Sequence, residues 1–108
     1  MMATLEIRPH DLETVRAILR ATLPGGARVW VFGSRARSAA RRASDLDLAV
    51  DAGRALTLAE TTAINDAFDE SNLPYTVDVV DWAATSDTFR GIIERDRVAL
   101  EFGVGADG

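Results

Sequence analysis

The chain has 108 residues, of which 47% are apolar and 27% charged, and a net charge of −5, as in an ordinary globular protein of one domain. It contains no cysteine, no lysine and one histidine, which excludes thiol nucleophiles, disulfides, thiolate zinc sites and lysine Schiff bases. Any catalysis must therefore use carboxylates, hydroxyls, arginines or a metal ion. His10 lies at a predicted helix start, and we do not expect it to be catalytic.

Location and partner class follow from what the chain lacks. No apolar run approaches the 18 or so residues that a membrane helix needs, and the N-terminal segment does not have the layout of a secretory leader. We therefore expect a cytoplasmic protein with no membrane contact. Residues 35–42 hold four arginines and no acid, whereas the rest of the chain is acidic. Because nucleic-acid-binding proteins usually display a basic surface, we expect no stable nucleic-acid binding.

The first half of the chain predicts one helix and two strands. Apolar residues recur at helical spacing between Pro9 and Pro24, and the prolines mark the start and end of that helix. The apolar run 29–32 is typical of a buried central strand. A second strand follows at 46–50. Its side chains alternate, with Leu46, Leu48 and Val50 on one face and Asp45, Asp47 and Ala49 on the other.

The second half predicts a helix, a strand, a helix and a short edge strand. Thr57 and Glu60 form a capping box that opens the first of these helices, and residues 75–81 form a strand. Ser86 caps the last helix, in which Phe89, Ile92 and Ile93 are predicted to face inward, and residues 98–100 form the edge strand. We expect a single α/β (α+β) domain over residues 1–108, with a mixed central sheet, a core at about 10–102 and a flexible tail at 103–108.

Asp45 and Asp47 are the first candidate site residues. Two carboxylates separated by one residue of a strand point to the same face, roughly 6–7 Å apart. Such like charges repel, and a shared divalent cation allows both to stay ionised. Taken alone, an Asp-x-Asp is more often a turn residue followed by a solvent-facing residue.

Asp78 strengthens the functional interpretation. It interrupts an apolar run at 77–80, which predicts that Asp78 is buried, and a buried carboxylate needs a partner or a ligand. If the strand that contains it pairs with the second strand, Asp78 joins Asp45 and Asp47 on one face. Three such carboxylates suit Mg²⁺, which prefers oxygen ligands. Asp81 lies on the opposite strand face, and we predict a turn or surface role for it, with the third acid of the site as the alternative.

Gly33 and Ser34 are the candidate phosphate site. A buried strand ends at Gly33 and a short helical segment begins, a junction where free backbone N–H groups bind anions. A Gly-Ser pair is by itself usually only a turn, and the absence of Gly-Lys-[Ser/Thr] excludes a Walker A loop. Arg35 is our preferred phosphate contact among the arginines. Arg37, Arg41 and Arg42 could also contact phosphate, and the alternative is that they lie on a solvated surface.

These residues carry a resemblance to a known family. The run from Gly33-Ser34-Arg35 to Asp45-Leu46-Asp47, with Asp78 downstream, resembles the minimal nucleotidyltransferase (MNT) family of the DNA polymerase beta-like superfamily. The resemblance covers about residues 10–102. Many relatives have glycine where this chain has Ser38.

The resemblance implies a function. Members of the family are often the antitoxin of a pair whose toxin is a HEPN-domain ribonuclease, and they transfer AMP from ATP to a tyrosine of that toxin. By analogy, Gly33 and Ser34 hold the triphosphate, Asp45 and Asp47 bind Mg²⁺, and Asp78 completes the catalytic triad. Two alternatives stay open, namely an antitoxin that neutralises its toxin by binding alone and an adenylyltransferase for small molecules.

Overall fold

The computed structural model describes residues 7–36 and 45–102. Within these ranges the chain forms a four-stranded mixed sheet and three α-helices. The helices are α1 (Pro9–Thr22), α2 (Leu58–Asp69) and α3 (Asp87–Asp96), and the strands are β1 (Arg28–Phe32), β2 (Leu46–Asp51), β3 (Val77–Asp81) and β4 (Val98–Ala99). Short 3₁₀ turns follow β1 at Gly33–Arg35 and β3 at Trp82–Ala84. The predicted α/β class with a mixed sheet is confirmed.

The strand order is β3-β2-β1-β4. β1 pairs antiparallel with β2 and with β4, whereas β2 and β3 are parallel. The parallel pairing extends one residue before β3, where the Leu46 N–H donates to the Thr76 carbonyl at 2.9 Å. Because β2 and β3 run in the same direction, their first residues meet at one end of the sheet.

Local chemistry sets the helix ends much as the sequence predicts. Pro9 opens α1, where its missing N–H has no helical partner to lose. α2 begins with the complete capping box, in which the Glu60 N–H donates to Thr57 and the Thr57 N–H donates to Glu60. Ser86 caps α3 by accepting from the Phe89 N–H. None of the helices in the described part of the chain is long and apolar enough to cross a membrane.

The sheet separates a large apolar cluster from a small one. The large cluster, which we call the core face, lies between the sheet and the helices α1 and α2. It includes Val15, Leu19, Val31, Leu46, Leu48, Val50, Ile64 and Phe68. The small cluster lies on the opposite side, which we call the site face. There Phe32 and Ala49 of the sheet are buried together with Ile93 of α3, and Trp30, Val80 and Trp82 pack beside them.

One packing prediction is wrong in part. Ile93 of α3 is fully buried and Phe89, although 37% exposed, packs against Phe32, but Ile92 is 45% exposed. A single helix lies over the site face, and no second helix in the described ranges packs on its outer side. Only the side of α3 that faces the sheet is therefore buried. The tail 103–108 and the arginines Arg37, Arg41 and Arg42 lie outside the described residues.

Candidate active site

Asp47 occupies the centre of the candidate site because of strand register. It lies opposite Phe32 on β1 and opposite Asp78 on β3. Residues paired across neighbouring strands project from the same face of a sheet, so Asp47 and Asp78 share the site face. Asp45 directly precedes β2 and lies close enough to Asp47 for its charge to act on that carboxylate. The pairing that the sequence analysis required for the three acids is present.

The three acids differ in exposure. Asp47 is half-buried, whereas Asp45 and Asp78 are exposed. The prediction that Asp78 is buried within an apolar strand is therefore wrong. β3 is an edge strand, and α3 covers the site face near Val80 and Trp82 rather than near Asp78. The apolar neighbours of Asp78 in sequence, Val77 and Val79, point to the core face instead.

Electrostatics show that the three carboxylates interact. Burial, followed by repulsion from Asp78 and then from Asp45, raises the pKa of Asp47 to about 6 from an ordinary 3.8. An aspartate in this situation is destabilised in its charged form. A bound cation would offset the repulsion from Asp78 and the repulsion from Asp45. The surroundings of Asp47 therefore favour the binding of a cation.

Gly33 brings the turn after β1 into direct contact with Asp47. Its φ angle is +76°, in the left-handed region that favours glycine. A Cβ atom at this position would collide with Oδ2 of Asp47. Glycine is thus required at position 33 for two reasons, its backbone conformation and the close approach of the Asp47 carboxylate. The Gly33–Arg35 turn and the Asp47 carboxylate therefore form one continuous surface.

The remainder of the turn divides between the site and the interior. Ser34 lies in the middle of the 3₁₀ turn, which the Ala36 N–H closes by donating to the Gly33 carbonyl at 3.1 Å. Arg35 is only 6% exposed, and its guanidinium lies 4.0 Å from the centre of the Tyr75 ring. Tyr75 packs on the core face. The phosphate contact predicted for Arg35 stays a prediction, and the observed contact is an internal one.

The side chains of this site suit a hard divalent cation, because such ions prefer carboxylate oxygens as ligands. These oxygens lie next to a turn with backbone N–H groups. In the described ranges, however, no three acidic or histidine side chains converge closely enough to ligate one ion together. Asp45, Asp47 and Asp78 share a face without forming a closed cage. Such an open arrangement matches a Mg²⁺ site in which phosphate oxygens and water supply the remaining ligands.

Asp81 has a structural role. One of its carboxylate oxygens accepts from the Leu56 N–H at 2.9 Å, and the other accepts from the Ala83 N–H at 3.2 Å. These bonds fix the turn after β3 and the approach to α2. The predicted turn role is confirmed, and Asp81 is not the third acid of the carboxylate group.

The sequence analysis missed an aromatic and arginine cluster beside the acids. The Trp30 and Trp82 rings lie 5.7 Å apart, and the Arg97 guanidinium lies 4.3 Å from the first and 5.2 Å from the second. Phe89 contacts Phe32 edge to face at 6.0 Å. The alternation of Trp30 and Phe32 along β1 indicates one shared face, but Trp82, Phe89 and Arg97 reach it only through the tertiary fold.

The sequence is similar to a known protein family and to a known protein. Residues 14–100 match the family described as polymerase beta, nucleotidyltransferase. The probable protein adenylyltransferase MntA of Haemophilus influenzae is 40% identical over 99 residues, which cover 92% of this chain and 86% of that protein.

Solved structures give the same fold. A chain in a crystal structure of a toxin–antitoxin with AMP-PNP superposes with a TM-score of 0.72 at 24% identity, over 90% of this chain and 77% of that chain. A chain in the complex of a tri-AMPylated Shewanella oneidensis HEPN toxin with its MNT antitoxin gives 0.68 at 20% identity, over 94% and 77%. The family match covers the Gly33 turn and all three acids, and the chain belongs to the polymerase beta nucleotidyltransferase family as a member of its MNT group.

Proposed function

We propose that the protein transfers AMP from ATP to a tyrosine hydroxyl of a cognate HEPN toxin and thereby acts as its antitoxin. The family match and the 40% identity to a protein adenylyltransferase support the reaction type. The structural neighbours support the acceptor, since one of them is an AMPylated HEPN toxin bound to an MNT antitoxin. Because the donor is ATP, we propose the cytoplasm as the location.

The observation that carries this proposal is the contact between Gly33 and Asp47, with Asp78 paired beside them. It brings a turn suited to phosphate next to carboxylates suited to a cation. We assign Asp45 and Asp47 to Mg²⁺ and the backbone of Gly33 and Ser34 to the triphosphate. When bound, Mg²⁺ would offset the phosphate charge and stabilise the departing pyrophosphate.

Asp78 is assigned to the acceptor. It is the exposed acid on the edge strand, so a side chain of another protein can reach it. The acceptor oxygen forms a bond to the α-phosphorus, the bond to pyrophosphate breaks, and the hydroxyl proton passes to the Asp78 carboxylate. Asp45 and Asp47 keep the phosphates in place during this step.

Variants of the acid pair test the proposal. Purified protein, the cognate toxin, Mg²⁺ and ATP labelled on the α-phosphate should give labelled toxin. We expect Asp45→Asn with Asp47→Asn to reduce transfer by about a thousandfold or more, because the cation loses both ligands. Asp66→Asn with Asp69→Asn is the matched control, since it makes the same charge change on the exposed side of α2 and should leave transfer unchanged.

Three results would contradict the proposal. Equal labelling by the acid-pair variant and the wild type would exclude these carboxylates from catalysis. Protection of toxin-expressing cells by the acid-pair variant as complete as by the wild type would mean that binding alone neutralises the toxin. Transfer to small hydroxyl compounds without labelling of the toxin would indicate the small-molecule alternative.

A further inference from the structure

Arg35 and Asp11 are buried charged residues outside the carboxylate group. Arg35 is 6% exposed and Asp11 is 8% exposed. Charged side chains are rarely buried to this extent unless partners compensate them. Tyr75 lies between the two, because the Arg35 guanidinium stacks on its ring and its hydroxyl donates to Oδ2 of Asp11 over 3.4 Å.

These three residues come from separate segments of the chain. Asp11 lies in the first turn of α1, Arg35 ends the 3₁₀ turn that starts at Gly33, and Tyr75 lies two residues before β3. They therefore connect the helix layer, the phosphate turn and the entry to the strand that bears Asp78. We call these three residues the anchor cluster.

The anchor cluster is connected to the site through the backbone on both sides. The Arg35 backbone belongs to the turn whose first residue touches Asp47. Thr76, directly after Tyr75, accepts from the Leu46 N–H between Asp45 and Asp47. Fixing Arg35 against Tyr75 thus fixes the turn relative to the start of β2 and β3, where the three acids lie.

We propose that Tyr75 and Arg35 are positioning residues that hold the Gly33–Arg35 turn in its nucleotide-ready conformation from the core face, with Asp11 adding only a long hydrogen bond to Tyr75. Arg35 acts from within the protein through the Tyr75 ring, and the turn backbone meets the phosphates. The link we infer is the cation–π contact, since guanidinium stacking on a partly buried ring is stronger than at an exposed site. The nucleotide part of this proposal rests on the proposed function.

Hydrogen exchange of the nucleotide-free protein tests the proposal independently of catalysis. The reporter is the Ala36 N–H, which closes the turn on the Gly33 carbonyl. We expect Tyr75→Leu and Arg35→Met each to accelerate its exchange by at least about tenfold, because the turn opens more often. Tyr75→Phe keeps the ring and loses only a long hydrogen bond, so it should change exchange by less than about threefold.

Arg28→Met is the matched control. Arg28 also lies over an aromatic ring, that of Trp30 at 5.5 Å, but its side chain is 71% exposed and it lies at the opposite end of β1 from the turn. It should leave Ala36 exchange unchanged. Unaltered exchange in Tyr75→Leu would overturn the proposal, as would an effect of Arg28→Met equal to that of Arg35→Met.

Binding of AMP-PNP with Mg²⁺ separates positioning from direct contact. We expect Arg35→Met and Tyr75→Leu each to weaken binding by about tenfold, and the double variant to be no weaker than either, because both remove the same link. Weaker binding in Arg35→Met alone would make Arg35 a direct phosphate ligand and overturn the proposal. If exchange and binding behave as expected but no AMP reaches the toxin, only the proposed function fails.

Discussion

The two faces of the sheet contain the same strands but are built differently. On the core face, two helices bury a continuous set of aliphatic side chains, many of them with no exposed surface. On the site face, one helix covers a small cluster of three buried residues and leaves Asp45, Asp47 and Asp78 uncovered at one end. The core face therefore provides most of the stability, whereas the site face keeps a charged, partly open surface that a nucleotide and an acceptor can reach.

The alternation of side chains along β2 supplies residues to both faces. Along β2, Leu46, Leu48 and Val50 enter the core, and Asp47 and Ala49 project to the other side. The aliphatic residues hold the strand rigidly while the intervening acid is kept at a fixed place. Rigid secondary structure is the better support for a site whose groups must be positioned to within about half an ångström.

A matched pair of isoleucines measures the contrast directly. Ile64 on the core face and Ile93 on the site face are both fully buried. We expect Ile64→Ala to lower the free energy of unfolding by about 4 kcal/mol and Ile93→Ala by about 2 kcal/mol, because the smaller cluster under α3 can collapse more easily around the cavity. Chemical denaturation of both variants checks this. Equal losses would mean that the two faces contribute equally to stability.

A pair of glycines tests how closely the turn depends on Asp47. Gly33 and Gly53 have nearly the same φ, +76° and +79°, but only at Gly33 does an added Cβ meet another atom within 4 Å. We expect Gly33→Ala to cost about 3 kcal/mol through strain and collision, and Gly53→Ala about 1 kcal/mol through strain alone. Gly33→Ala should also weaken AMP-PNP binding. Similar losses in unfolding experiments on both variants would indicate that the turn shifts freely.

The smallest expected effect is a pH dependence on the site face. The pKa of Asp47 is raised in the folded protein to about 6, so the folded state holds the proton more tightly than the unfolded state. Stability from this group is complete below about pH 4 and declines as the pH rises through about 6. After allowance for solvent screening at this half-exposed group, Asp47→Asn should stabilise the metal-free protein by about 1 kcal/mol at pH 7 and have no effect at pH 4.

Thermal or urea unfolding in the presence of a chelator measures this effect, with Asp66→Asn as the control on exposed α2. A stability difference between Asp47→Asn and wild type that is the same at pH 4 and pH 7 would show that the pKa of Asp47 is not raised in the folded protein. Addition of Mg²⁺ and AMP-PNP should reverse the ranking at pH 7, because ligands that bind the folded state of the wild type stabilise it.

Much of the architecture was predictable because local chemistry determines it. Pro9, the Thr57–Glu60 capping box and the Ser86 cap set helix starts through bonds that span at most three residues. The alternation along β2 separates its two faces before any partner is known. Ile92 was placed wrongly because helical periodicity shows which residues could be buried together, and it does not show how many layers of structure will cover them.

The site followed the same division. Asp45 and Asp47 share a face by strand geometry alone, and Gly33 with Ser34 marks the end of a buried strand. The exposure of Asp78, by contrast, depends on its strand lying at the edge of the sheet. Arg35 could not be placed from its neighbours in sequence, because its contacts Tyr75 and, through it, Asp11 are separated from it by many residues.

The sequence by itself determined the types of group available, the two faces of β2 and the family to which the motif belongs, because these depend on residue identity and on spacing within a few residues. The tertiary structure decided that Asp78 pairs with Asp47, that the Gly33 turn touches the same carboxylate, and that Arg35 is turned inward. These depend on strand register and on packing between distant segments, which are set by how the whole chain buries its apolar surface.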